Sequence, residues 1–447
     1  MLGQTGKTFA FTGILASALA GLAPGAWAQD HWVATWAASP QAARVIFPAP
    51  PRAAAPGTAG ANAPAATPTP AGQSNPGNQP NQPPLFAPPP TFNSQTVRMI
   101  VRSSIGGRRA RVQLSNAYGA GPLRIGAAHI ALRDKESSIV MASDRALTFS
   151  GSRSFTIPPG AGIVSDPVDL EVPKLADLAV SLYVAGEAPS PTNHLTGLHT
   201  TYISKEGDFT SAQGIAEATT RQSWYWLSGV DVLAPADSAL IVAFGDSITD
   251  GATSTPDADR SWPSLLAQRL AANKATANVA IVNQGISGNR LLADGAGVSA
   301  LARFDRDVLS QLGVKWLIIL EGINDIGIGA RGGPQGSVTA EDLITAHKQL
   351  IERAHLHGIR VIGATLTPYG GAAYYSDEGE AIRQALNQWI RSSKAYDAVV
   401  DFDAITQDSE NPRQIRPAYN IRDHLHPNDA GYKAMADAVN LSLFVSE

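Results

Sequence analysis

Phe-Gly-Asp-Ser-Ile-Thr-Asp-Gly, residues 244–251, is the stretch on which the reading of this chain turns. The apolar residues Ile241 to Ala243 before it read as a buried strand, and the glycines at 245 and 251 mark a tight turn after it. Ser247 is therefore predicted just past a strand end, exposed enough to attack an electrophile. Three later fragments supply the other parts that acyl transfer needs: Gly285-Ile286-Ser287-Gly288-Asn289, Gly322-Ile323-Asn324-Asp325 and Asp423-His424-Leu425-His426-Pro427. Together they offer a nucleophile, backbone and side-chain donors for an oxyanion, and a histidine with a carboxylate three residues upstream.

On these four fragments the chain resembles the SGNH family of GDSL-type hydrolases, whose four name residues match Ser247, Gly288, Asn324 and His426. The likeness spans residues 235–447. Thr249 stands where a Gly-x-Ser-x-Gly elbow would need its last glycine, which disfavours the α/β-hydrolase alternative. The resemblance implies a catalytic Ser247, Asp423 and His426. It also implies an oxyanion hole formed by the backbone N–H groups of Ser247 and Gly288 and the side-chain amide of Asn324. A serine hydroxyl needs a base within hydrogen-bond reach, and the Asp-x-x-His spacing selects His426 over its neighbour His424. Asp246, Asp250 and Asp325 read as residues that hold loops together. Asn289, Trp262 and Tyr369 are candidate substrate contacts, with Tyr374 and Tyr375 as further candidates for the pocket wall.

The same rhythm extends outward from the serine. Apolar runs at 240–244, 279–282, 316–320, 359–364 and 398–402 alternate with helical patterns near 261–272, 340–357, 378–395 and 428–443. That alternation predicts an α/β, flavodoxin-like parallel sheet with helices on both faces and a site at the C-terminal ends of the strands. Upstream, short alternating runs such as Ala110 to Leu114, Ile125 to Leu132 and Leu178 to Val184 predict an all-β sandwich over residues 29–234. Trp-x-x-x-Trp-x-x-Ser-Pro at 32–40 and Leu-Ser-Asn-Ala-Tyr-Gly at 114–119 are similar to the jelly-roll-like accessory domain of some secreted bacterial SGNH esterases. Residues 48–90 hold 14 of the 31 prolines and read as a disordered insertion within that β domain.

Composition bounds the remaining classes. A net charge of −4 gives no footprint for nucleic acid, and no segment after the N-terminus is apolar for long enough to span a bilayer, so neither partner is expected of the mature chain. Lys7, the apolar run from Phe9 to Leu22 and Ala26-Trp27-Ala28 fit a signal peptide over residues 1–28, hence secretion or a bacterial periplasm. The 447 residues include no cysteine, which excludes disulfides and a thiol nucleophile. His347, His355 and His357 share one helical stretch without a metal-binding pattern, so neither a catalytic metal nor another cofactor is expected. The expected function is an exported serine esterase acting on small acyl groups, with deacetylation of carbohydrate foremost. The alternatives are an arylesterase or lipase-type acylhydrolase, and a non-catalytic carbohydrate-binding protein.

Overall fold

In the computed structural model, residues 30–43, 91–188, 191–329 and 337–445 are described, together with Gly3. The signal peptide and the proline-rich stretch expected at 48–90 lie outside the described residues.

Five parallel strands make the second half of the chain: Ala239–Gly245, Val279–Gly285, Val314–Leu320, Arg360–Ala364 and Ala398–Val400. Numbered along the chain, their spatial order is 2-1-3-4-5. From the first strand the chain steps one way to reach the second, then crosses to the other side for the third and keeps going. Right-handed crossovers therefore place the connecting helices on opposite faces. Helix Trp262–Ala272 packs with Asp429–Ala438, and Ala340–Leu356 packs with Asp377–Ser392. Every residue of the first strand is buried, as a strand covered on both faces requires. The predicted helix at 428–443 ends early: the chain extends at Val439, and Asn440 caps a separate 3-10 turn at Leu441–Phe444.

Register places the site. Gly245 lies opposite both Gly285 and Leu320, so the first three strands end level with one another. Ser247, Gly288 and Asn324 each follow within a few residues and emerge along one edge of the sheet. The close approach depends on missing side chains. A Cβ on Gly285 would meet the Asp250 backbone nitrogen at 2.2 Å.

Residues upstream of Ala239 form antiparallel sheets, one of four strands (Trp32–Ala37, Leu227–Leu233, Ala110–Ser115, Gly162–Val164 in spatial order) and a larger one centred on Phe92–Arg102, Asp177–Ala188 and Leu123–Leu132. Val112 and Val230 from the first sheet share a continuous core with Met99 and Leu182 from the second. The chain before residue 48 and the chain after residue 90 thus enter one β region. Residues from His31 onward form one compact unit in which this region abuts the parallel sheet. Ala34 N–H donates to Leu312 O at 3.1 Å, and Ile281 N–H donates to Ser104 Oγ at 3.2 Å. Trp224, Tyr225 and Trp226 are buried here. Trp224 packs edge-on against Trp36 and donates its Nε1–H to Ile100 O, so these aromatics serve packing and offer no exposed sugar platform.

Candidate active site

Ser247 begins the single-turn helix Ser247–Asp250, with Asp246 as its N-cap: the Asp246 carboxylate accepts from Ile248 N–H at 2.9 Å. From there Ser247 Oγ donates to His426 Nε2 at 2.8 Å, and His426 Nδ1–H donates to Asp423 Oδ2 at 2.6 Å. The other Asp423 oxygen accepts the backbone N–H groups of Leu425 and His426, both at 2.9 Å. Partial burial would raise the Asp423 carboxyl, but the His426 ring and these N–H groups hold it below the ordinary carboxylate value. Asp423 therefore remains an anion, and that anion fixes the His426 tautomer with Nε2 turned to the serine. The loop that presents them is strained at Arg422 and His424, whose φ angles are 76° and 61°. His424 is turned aside against Gly371, whose Cβ position lies 3.0 Å from the His424 ring.

The donor side is tied down at several points. Asn289 N–H closes a turn onto Ile286 O at 2.9 Å, with Gly288 at φ 79°, a left-handed conformation that glycine adopts without strain. Asn324 Nδ2 donates to Asn289 O at 2.9 Å, which uses one of the two amide hydrogens. Tyr374 Oη donates to Asn324 Oδ1 at 3.4 Å. Asp325 accepts from Leu291 and Leu292 N–H at 2.7 and 2.9 Å, and Asp250 Oδ2 accepts from Ser287 N–H at 2.8 Å. Asp246, Asp250 and Asp325 thus hold loops, as the sequence suggested.

The three candidate substrate contacts stand differently. Asn289, Trp262 and Tyr369 are completely buried and cannot touch a ligand. Asn289 receives the guanidinium of Arg303 and donates to Val298 O; Trp262 packs on Phe402; Tyr369 packs between Tyr374 and Tyr375. Residue type beside a site loop points to each of them, but the chain there is packed more tightly than loop position suggests. Of the four aromatics considered, it is Tyr374 that reaches the site.

Arg303 was not found from the sequence. Fully buried over the Phe244 ring, it donates to Gly245 O at 2.9 Å, Gln284 O at 2.7 Å, Asn289 Oδ1 at 2.8 Å and Ser39 Oγ at 3.0 Å. It thereby joins the ends of the first two strands, the glycine turn and the β region. The available signal was an arginine inside the apolar stretch Ala300-Leu-Ala-Arg-Phe304, where a lone charge needs several partners.

Beneath the serine lie two buried carboxyls, Asp246 and Glu321, both pushed up first by burial; the charges of Asp325 and Asp250 raise Asp246 further, and those of Asp246 and Asp325 raise Glu321. The native state keeps the Asp246 proton up to about 7, whereas the unfolded chain releases it from 3.8 upward. Because the native state then binds more protons than the unfolded one, stability falls as pH rises through this window. Asp246→Asn preserves the cap and removes the titration. Melting temperatures of variant and parent should converge near pH 4 and separate as pH rises, with the variant the more stable near pH 7. Parallel curves would rule out a strained Asp246 carboxylate.

A 2-1-3-4-5 parallel sheet carrying a Ser–His–Asp chain and a glycine-turn donor loop along one edge defines an SGNH-type hydrolase fold. Residues 243–434 match the model of the GDSL-like lipase/acylhydrolase family, so the chain carries a GDSL-like domain there. No match to a curated protein was found. Similar solved structures include a G-D-S-L family lipolytic protein of Desulfitobacterium hafniense, 24% identical over 45% of this chain and 97% of that one, with a TM-score of 0.34. An acetylxylan esterase from Geobacillus stearothermophilus is 22% identical over 45% of this chain and 91% of that one, with a TM-score of 0.36. An aryl esterase of M. smegmatis is 17% identical over 45% of this chain and 96% of that one, with a TM-score of 0.36.

Proposed function

We propose that the protein is a serine esterase that removes small acyl groups, acetyl foremost, from carbohydrate or related esters. The observation that carries this reading is the unbroken hydrogen-bond chain from Ser247 through His426 to Asp423. In the forward step Ser247 Oγ attacks the ester carbonyl carbon while its proton passes to His426 Nε2. The C=O π electrons move onto oxygen, giving a tetrahedral oxyanion. Ser247 N–H, Gly288 N–H and the second hydrogen of Asn324 Nδ2 are the donors proposed to meet it. Collapse expels the alkoxide, which takes the proton from His426 and leaves an acyl-serine. Water then attacks the acyl carbon, giving its proton to His426, and the second collapse returns that proton to Ser247 and frees the acid. Asp423 stays ionised throughout and stabilises the imidazolium.

The preference for a small acyl group is supported by confinement. Ser247 is 5% exposed, and Tyr374 stands against Asn324 on the donor side. Hydrolysis of p-nitrophenyl esters from acetate to decanoate, with acetylated xylan and other acetylated polysaccharides alongside, tests the reading. Activity should be greatest on acetate and fall with chain length. A preference for long chains would favour the lipase-type alternative, and complete inactivity of well-folded protein would favour the non-catalytic one.

Asn324→Ala should lower kcat by roughly 10²–10³-fold, with a smaller change in KM, because its amide acts on charge that develops in the transition state. An unchanged kcat would leave Asn324 as a support for Asn289 alone. Export completes the proposal: mature protein recovered from the medium or periplasm should begin at Gln29, and recovery with an intact N-terminus in the cytoplasm would refute it.

A further inference from the structure

A buried histidine of the β region reaches the catalytic loops. His194 sits on the short strand Asn193–His194, is 3% exposed and packs against Trp224. Its Nδ1 lies 2.9 Å from Ser39 O and its Nε2 3.0 Å from Asp250 Oδ1. A carbonyl and a carboxylate can only accept, so both ring nitrogens carry hydrogen and the ring is an imidazolium. Burial opposes that charge, but Asp250 prevails and holds the ring above its ordinary pKa.

Beyond Asp250 the network continues to the donor loop. Asp250 Oδ2 accepts from Ser287 Oγ at 2.6 Å as well as from Ser287 N–H at 2.8 Å, and Thr196, also of the β region, donates to Ser287 Oγ at 2.9 Å. Ser287 immediately precedes Gly288, so the peptide plane that carries the Gly288 N–H begins at the Ser287 carbonyl carbon. Holding the Ser287 N–H and side chain holds one end of that plane.

We propose that His194 is a positioning residue for ester hydrolysis: through Asp250 and Ser287 it sets the direction of the Gly288 N–H toward the developing oxyanion. The inference rests on the esterase reading above. It makes the β region part of the active centre and gives that region a role other than carbohydrate binding.

The test is kinetic, on the full chain with p-nitrophenyl acetate. His194→Ala should lower kcat by about tenfold to a hundredfold with KM little changed, since a misdirected oxyanion donor acts on the transition state. His194→Gln, which keeps one N–H for Asp250, should recover most of that loss. Affinity for a boronic acid that forms a tetrahedral adduct on the serine should fall in parallel with kcat. Ser287→Ala removes the hydroxyl link without touching the buried pair and should cost kcat in the same way, which keeps the idea testable if His194→Ala fails to fold.

Folded His194→Ala, or folded Ser287→Ala in its place, with parental kcat and boronate affinity would overturn the proposal. So would a change confined to KM. Ser247→Ala in the same assay separates the two levels. If that variant stays active, the esterase reading itself fails; if it is inactive while the His194 and Ser287 variants are not, only the positioning role fails.

Discussion

Ser247→Ala is expected to lower turnover on a soluble ester by on the order of 10³-fold or more while the protein remains folded. The oxygen removed is small and bonds to His426 alone among its described side-chain partners, so little packing is lost. The chemistry lost is large, since Ser247 Oγ is the hydroxyl that meets His426 Nε2, at 2.8 Å. Paired measurements of kcat and melting temperature check this. A folded variant with near-parental turnover would exclude an acyl-serine intermediate, and a serine-directed fluorophosphonate should label the parent at Ser247 and leave the variant unlabelled.

His426→Ala should be as damaging, again on the order of 10³-fold in kcat, because it removes both the base for Ser247 and the acid for the leaving alkoxide. The informative comparison is His424→Ala, which should cost less than about tenfold. Both histidines lie in one loop, but only His426 bridges Asp423 and Ser247, at 2.6 and 2.8 Å. His424 packs on Gly371 and holds a left-handed φ of 61°, so its replacement is a matter of loop conformation. If His424→Ala proved the more harmful of two folded variants, the assignment of the base would be reversed.

What could be read in advance follows from how local each signal is. The parallel strands were legible because a strand buried on both faces writes an unbroken apolar run, as Leu240 to Phe244 does. Ser247, Gly288, Asn324 and His426 were legible because each lies in a short fragment that resembles a motif of the SGNH family. The residues that support them were not. Arg303 makes its bonds to Gly245, Gln284 and Asn289, at the ends of two strands and in the glycine turn, and no spacing along the chain reports such a set. His194 was invisible for a stronger reason, as its partner Asp250 is 56 residues away in a region of different fold. The misassigned contacts, Asn289, Trp262 and Tyr369, show the converse: residue type suggests what a side chain can do, whereas burial decides whether a ligand meets it.

The pairing of Trp32–Ala37 with Leu227–Leu233 has a consequence for how this polypeptide is made and how it can be inherited. A chain emerging from a ribosome or a translocation channel offers Trp32 early, yet its partner Leu233 follows only 201 positions later. The small sheet therefore closes late, after the larger sheet has had time to gather around Phe92–Arg102 and Asp177–Ala188, which lie nearer one another. When it closes, Ser39 is delivered to Arg303 in the other half of the molecule. Gene fusion or exchange at the boundary near residue 235 would break this seam, because the hydrolase half would be left with an arginine lacking one of its acceptors.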